Sequence, residues 1–336
     1  MKYLAFDAHS THCVLSVRNA RGEEIDLRPV PTRPDRLIDA VRSVSGKKVV
    51  CIEEGQLAGW MKGLLERYAD KVIICDPKQN TWIAKDEKKD DIIDASKLSH
   101  LLFGGFLKPV HHPTKQRQMF KDLVLHYHMI SDELVKIKNR IKSRFLRNGI
   151  RCVGNDVYRP DRRTKWLQQL PKMTQMEVED LYASLDHQKE LKKRVKQRME
   201  REANKHTQLN HSLKVPGIGP IRAATFHAII DTPHRFKKKS RLWVYCGIGL
   251  THHGSGIKPV RQRRNQSYNR KLKAVVMGAA QTAINTKSDN PFKAQYQDLL
   301  QKGVHEKEAI VRVARSITSS MWGMWRANQE YHPKIG

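Results

Sequence analysis

The chain has 336 residues, with 63 Lys and Arg against 34 Asp and Glu, a net charge of +29. That length carries two or three domains with cores of their own, so neither a metal nor disulfides are needed for folding. No stretch approaches the ~20 apolar residues of a membrane-spanning helix, Asp7 interrupts the N-terminal apolar run that a signal peptide would need, and the basic excess points to nucleic acid rather than membrane.

The first hundred residues alternate between strand and helix patterns. Tyr3 to Ala8, Cys13 to Val17 and Glu24 to Val30 read as three short strands of a meander, separated by turns at His-Ser-Thr and Asn19-Ala20-Arg21-Gly22. A helix follows Pro34, a strand runs from Lys48 to Ile52, a helix from Leu57 to Tyr68 and a strand from Val72 to Cys75. Pro77 opens a helical connection, and Ile92, Ile93, Leu98, Leu101 and Leu102 have helical spacing. This order, a meander and then alternating helices and strands, is that of the ribonuclease H-like fold.

Four acids punctuate these runs: Asp7 in the first strand, Glu53 at the end of the fourth, and Asp91 with Asp94 on a helix where residues three apart share a face. Asp90 and Asp94, four apart, would also face together. Singly, such acids have a bland explanation, since a cluster of Asp at a helix start complements the helix dipole. Together at matching places in one fold they predict a metal site, because converging buried carboxylates cannot all stay ionised without a cation. Mg2+ is the natural choice, and a pair of ions about 4 Å apart stabilises both the attacking and the leaving oxygen of a phosphodiester displacement.

From Phe120 the apolar positions Leu123, Tyr127, Ile130, Leu134, Ile137 and Ile141 follow in steps of three and four, the seam of a coiled coil. Lys142, Arg144 and Arg147 crowd its end and are candidate phosphate contacts. A second helix carries Val178, Leu181, Leu185, Leu191, Val195 and Met199; the seam does not say whether it pairs within the chain or with a second copy. The charge is concentrated downstream: residues 1–110 have 18 Lys and Arg against 16 acids, residues 111–336 have 45 against 18.

The C-terminal part holds two further features. Val215-Pro216-Gly217-Ile218-Gly219-Pro220 before a helical run resembles the turn of a helix-hairpin-helix motif, in which Gly217 and Gly219 would let the backbone approach a phosphate. Gly254-Ser255-Gly256 puts a serine between two glycines, followed by Lys258, Arg261, Arg263 and Arg264, which would clamp a phosphodiester. Ser240, Ser267 and Tyr268 flank the same basic segment without that setting. The five cysteines show no C-x-x-C spacing, which reads as a reducing cytoplasm. The paired histidines, His9/His12 among them, have no cysteine clusters beside them, which argues against zinc.

Phe6-Asp7, Cys51-Ile52-Glu53, Asp91-Ile92-Ile93-Asp94-Ala95, Val215-Pro216-Gly217-Ile218-Gly219, Tyr245-Cys246-Gly247-Ile248-Gly249-Leu250 and Gly254-Ser255-Gly256 together resemble the DEDD-type transposases of the IS-one-ten insertion-sequence family, with its IS-eleven-eleven branch and the Piv invertase. The resemblance covers nearly the whole chain. It implies a RuvC-like domain over residues 1–110, a coiled-coil region over 111–212 and a mostly helical transposase domain over 213–336. It also implies an acidic tetrad of Asp7, Glu53, Asp91 and Asp94, with the D-x-x-D-A match selecting Asp91 over Asp90, and Ser255 as nucleophile. Further implications are a bridge or seek RNA as guide, DNA element ends and target as substrates, a dimer or tetramer, and a cytoplasmic, nucleoid-associated location. Two departures stand out: Asp7 is followed by Ala8-His9 rather than a lysine-containing continuation, and the loop from Leu250 to Ser255 is short. The rival expectation is a metal-dependent nuclease or junction resolvase with the same tetrad and water as nucleophile; a non-catalytic nucleic-acid binder would have no use for four inward acids.

Overall fold

Alternation along the N-terminal strands divides their side chains between two faces, and each face acquires a different cover. The computed structural model describes residues 1–76, 90–253, 261–264 and 267–333, with backbone alone for 251–253 and 261–264. The chain forms two compact units, Met1–Lys115 and Gln116–Gly336.

The first unit is a five-stranded sheet in the order β3-β2-β1-β4-β5, built from β1 (Lys2–Ala8), β2 (His12–Arg18), β3 (Glu24–Pro31), β4 (Lys48–Glu53) and β5 (Lys71–Cys75). β1 pairs antiparallel with β2 and parallel with β4, and β4 pairs parallel with β5. Leu4, Phe6, Val50 and Ile52 point to one face, where α1 (Pro34–Arg42) and α2 (Ala58–Leu65) seal them with Leu37, Val41, Met61 and Leu65. Tyr3, Ala5, Val49 and Cys51 point to the other, where α3 (Asp91–Phe103) lays Leu98 and Leu102 across them. Element order and strand limits follow the sequence reading; the helix expected from Pro77 falls among residues 77–89, outside the described residues.

In one respect α3 departs from expectation. Ile92 and Ile93, read as part of its apolar face, are exposed at 48% and 37%. The face that meets the sheet begins with Asp91, Asp94, Ala95 and Leu98, and this rotation turns both isoleucines outward.

The second unit is helical. α4 (Lys115–Arg147) leads through a turn and α5 (Arg163–Leu167) to α6 (Lys172–Ala203). These long helices pair antiparallel within the chain: Leu134, Ile137, Ile141 and Phe145 pack with Val178, Tyr182 and Leu185, while Phe120, Val124, Tyr127 and Ile130 share a core with Val195, Met199 and Ala203. Val124, not Leu123, is the fully buried residue of its turn, because a helix of 3.6 residues per turn drifts off a strict 3.5 repeat. That second core also contains α8 (Pro220–Ile230), α10 (Arg270–Asn285) and α12 (Glu306–Ala327), which are accompanied by α7 (Thr207–Ser212), α9 (Lys239–Tyr245) and α11 (Pro291–Gln301). The expected boundary at 212/213 is therefore not a break in packing: the start of α4 and the end of α6 belong to the C-terminal core, and Arg117 on α4 binds the carboxylate and carbonyl of Asp231 at the end of α8. A short antiparallel hairpin of β6 (Leu250–His253) and β7 (Arg261–Arg264) completes the unit.

Candidate metal centre

The face alternation that buries Ala5 and Cys51 under α3 places Asp7 and Glu53 at the end of the same face. Phe6 is paired with Ile52, so Asp7 and Glu53 leave neighbouring parallel strands side by side. α3 begins at this edge, and its first turn supplies Asp91 and Asp94. The helix is fixed to the sheet by a buried polar knot: Ser16 Oγ donates to Ser99 Oγ (2.6 Å), and Arg18 donates to Ser99 Oγ (2.9 Å) and Ser96 Oγ (3.1 Å). Asp90 has another role. Its backbone is extended and its Oδ1 accepts from the Ile92 amide at 3.0 Å, an N-cap that leaves Asp91 to face the sheet edge.

Two of the carboxylates, Asp7 and Glu53, feel the others. Burial, and after it the charges of Asp91 and Asp94, hold the Asp7 carboxyl above its ordinary value, even though the hydrogen bond and charge of His9 pull the other way. Burial, then the charges of Asp7 and Asp94, raise Glu53 in the same way. Among the described residues, no lysine or arginine is a leading cause of either shift. Such a hard oxygen donor set, short of positive charge, fits Mg2+ or a similar divalent ion.

Two histidines that sequence reading had set aside stand at this site. His9 Nε2 donates to Asp7 Oδ2 at 3.1 Å and lies 3.4 Å from Asp91 Oδ1; His12 Nε2 lies 3.7 Å from Asp91 Oδ2. Burial alone would lower His9, but Asp7, Asp91 and Glu53 together raise its proton affinity. Asp7, His9 and Asp91 place donor atoms all within 4.8 Å of one another. The spacing of two between Asp7 and His9 was the legible signal, since residues i and i+2 at a strand end share a face.

The other anticipated residues have mixed placements. Ser255 and Lys258 lie outside the described residues; they belong to the connection between β6 and β7. Arg261, Arg263 and Arg264 are on β7, paired with His253, Thr251 and Leu250. Lys142 donates to the Gly154 carbonyl in the connection after α4 at 2.8 Å and Arg144 pairs across to Glu177 on α6 at 2.6 Å, whereas Arg147 is exposed beside Arg140 and Lys136 along a groove between α4 and α6. Gly217 has φ +85°, and a Cβ there would stand 2.1 Å from the Ala279 carbonyl oxygen on α10. Its bare α-carbon serves helix packing. Gly219, the N-cap of α8, has nothing within 4 Å of that position.

Two family models match this chain. A DEDD-type transposase model of the IS110 group matches residues 4–148, which contain all four acids, and a model described as the transposase IS116/IS110/IS902 family matches residues 211–297. A 44.8 kDa protein of insertion element IS116 from Streptomyces clavuligerus is 29% identical over 119 residues, which span 35% of this chain and 29% of that relative's length. Among the described residues no helix is long and apolar enough to cross a membrane. With both matched segments falling on the two parts of the molecule that carry its acids and its glycine-framed turns, the chain belongs to the IS110 family of transposases.

Proposed function

We propose that this protein is an insertion-sequence recombinase that cuts and rejoins DNA strands, guided by a structured RNA, with a RuvC-like acid site and a serine nucleophile. The observation that carries the reading is the convergence of Asp7, Glu53, Asp91 and Asp94 at one sheet edge, with Asp7 and Glu53 held above their ordinary proton affinities by burial and by the neighbouring acids. Bound Mg2+ would supply Lewis acidity toward a phosphodiester and would offset the charge of the four acids. Asp7, Glu53, Asp91 and Asp94 would hold the ion rather than the phosphate, which their own charge repels. Ser255 Oγ would form an Oγ–P bond as a backbone P–O bond breaks, its proton passing to solvent while the departing oxygen takes one up and leaves as a hydroxyl; the phosphoserine conserves the bond energy, so a free hydroxyl end can displace the serine without ATP.

The guide RNA rests on the family resemblance and on the basic excess of residues 111–336. Sequencing of RNA that co-purifies with the protein tests it: one structured species is expected, and cleavage that proceeds equally well without RNA contradicts it. The nucleophile is tested by denaturing a reaction and mapping any peptide that retains DNA. The expected adduct is on Ser255 and is missing in Ser255→Ala. An adduct on Tyr268 overturns the assignment, and cleavage with no adduct favours a nuclease that uses water.

A further inference from the structure

The His9 backbone is fixed, and its side chain reaches the acids from there. It closes the turn between β1 and β2, its amide donates to the His12 carbonyl at 3.2 Å, and its own carbonyl accepts from Thr32 Oγ1 at 2.7 Å. This places Nε2 3.1 Å from Asp7 Oδ2 and 3.4 Å from Asp91 Oδ1. Neighbouring ligands of a six-coordinate ion with bonds of about 2.1 Å stand about 3 Å apart, and His9 Nε2 is close to that spacing from each of the two carboxylates, with all three donors within 4.8 Å of one another. His12 is less well placed: its Nε2 approaches only Asp91, at 3.7 Å.

We infer that His9 is a ligand of the metal centre, its Nε2 joining Asp7 and Asp91 on one ion, which makes this a mixed imidazole and carboxylate site with a preference for Mn2+ over Mg2+. The inference rests on the acid site of the proposed function and adds to it a nitrogen donor. Imidazole favours first-row transition ions, whereas Mg2+ is best satisfied by oxygen alone. His9 carries a proton on Nε2 while it donates to Asp7; ion binding replaces that proton, and the same lone pair then faces the ion. An exposed histidine that merely neutralises nearby acids would instead be displaced on metal binding.

Electron spin-echo spectroscopy of the full-length protein loaded with Mn2+ separates these outcomes, because an imidazole nitrogen bonded to Mn2+ modulates the echo. Expected is a nitrogen modulation that changes when the histidines carry 15N, disappears in His9→Ala with Mn2+ still bound, and persists in His12→Ala. His9→Ala should weaken Mn2+ binding about tenfold and Mg2+ binding less than threefold, about. Should His9→Ala fold poorly, the 15N-labelled wild type and His12→Ala decide between the two rings. Mn2+ bound without nitrogen modulation, or with modulation lost only in His12→Ala, overturns the role of His9 while leaving the carboxylate site standing. Mn2+ binding that Asp7→Ala and Asp94→Ala do not reduce overturns the acid site and the His9 inference together.

Discussion

Asp7, Glu53 and His9 give the site a dependence on pH whose direction follows from the raised proton affinity of each. A carboxyl raised above its unfolded value contributes stability below that value, 3.8 for Asp7 and 4.5 for Glu53, and this contribution is lost as pH rises through the folded value. His9, raised above 6.5, adds stability that is lost in the same direction at higher pH. In EDTA, the melting temperature of the first unit should therefore fall as pH rises from about 4 to 8, and Mg2+ should restore it at the upper end. Asp7→Asn should melt higher than wild type in EDTA at pH 7.5, respond little to Mg2+, and lose ~10³-fold or more of DNA cleavage. A wild-type melting temperature indifferent to both pH and Mg2+ would contradict this. Gly217 makes a separate prediction: with φ +85° and α10 at its back, Gly217→Ala should destabilise the second unit by about 3 kcal/mol in denaturant titrations. If Gly217 serves helix packing, nucleic-acid affinity per folded molecule should stay near wild type; a selective loss of affinity would point instead to the phosphate-facing turn.

At the scale of elements, α3 carries half the acids, and its position depends on contacts no local pattern announces. Ser16, Arg18 and Ser99 are distant in sequence and meet only when the sheet forms. Ser99→Ala should cost about 1 to 3 kcal/mol, because it removes the acceptor of the Arg18 Nε–H and one partner of Ser16, whose hydroxyl keeps Glu24. It should also weaken Mg2+ binding without touching a ligand; an unchanged Mg2+ affinity would show that α3 is held by its apolar face alone. The strands and α3 itself were legible because period-2 and period-3.6 patterns were clean and bounded by turn residues. The rotation of α3 was not, since Ile92 and Ile93 fit its apolar count while Asp91 and Asp94 take its inner face. Nor was the role of His9, where the i and i+2 relation to Asp7 was present but histidine pairs were weighed only as zinc ligands. Lys142 and Arg144 illustrate a general limit: a basic run at a helix end does not reveal which charges the next turn and helix will use.

For the whole molecule, charge and chemistry are divided along the chain. The first unit places the acids at a sheet edge, while residues 111–336 hold 45 of the 63 Lys and Arg. Nucleic-acid binding should therefore be dominated by the second part and be steeply salt-dependent, with log K falling by about 0.7 to 0.9 per log unit of salt for each phosphate neutralised. Asp94→Ala should leave that slope unchanged; a changed slope would mean the acid site contributes to binding rather than to chemistry alone. The segment 254–260 joins β6 to β7, so the candidate nucleophile and the acids come from different units, a division that the two separately matched family segments share. The claim on which the rest depends is that Asp7, Glu53, Asp91 and Asp94 hold a divalent ion, and an anomalous difference map from crystals soaked in Mn2+ tests it most directly. One or two peaks are predicted at the end of β1 and β4, about 2.2 Å from the carboxylate oxygens and lost in Asp94→Ala crystals; crystals that bind Mn2+ elsewhere but show no density among these four acids would contradict the account.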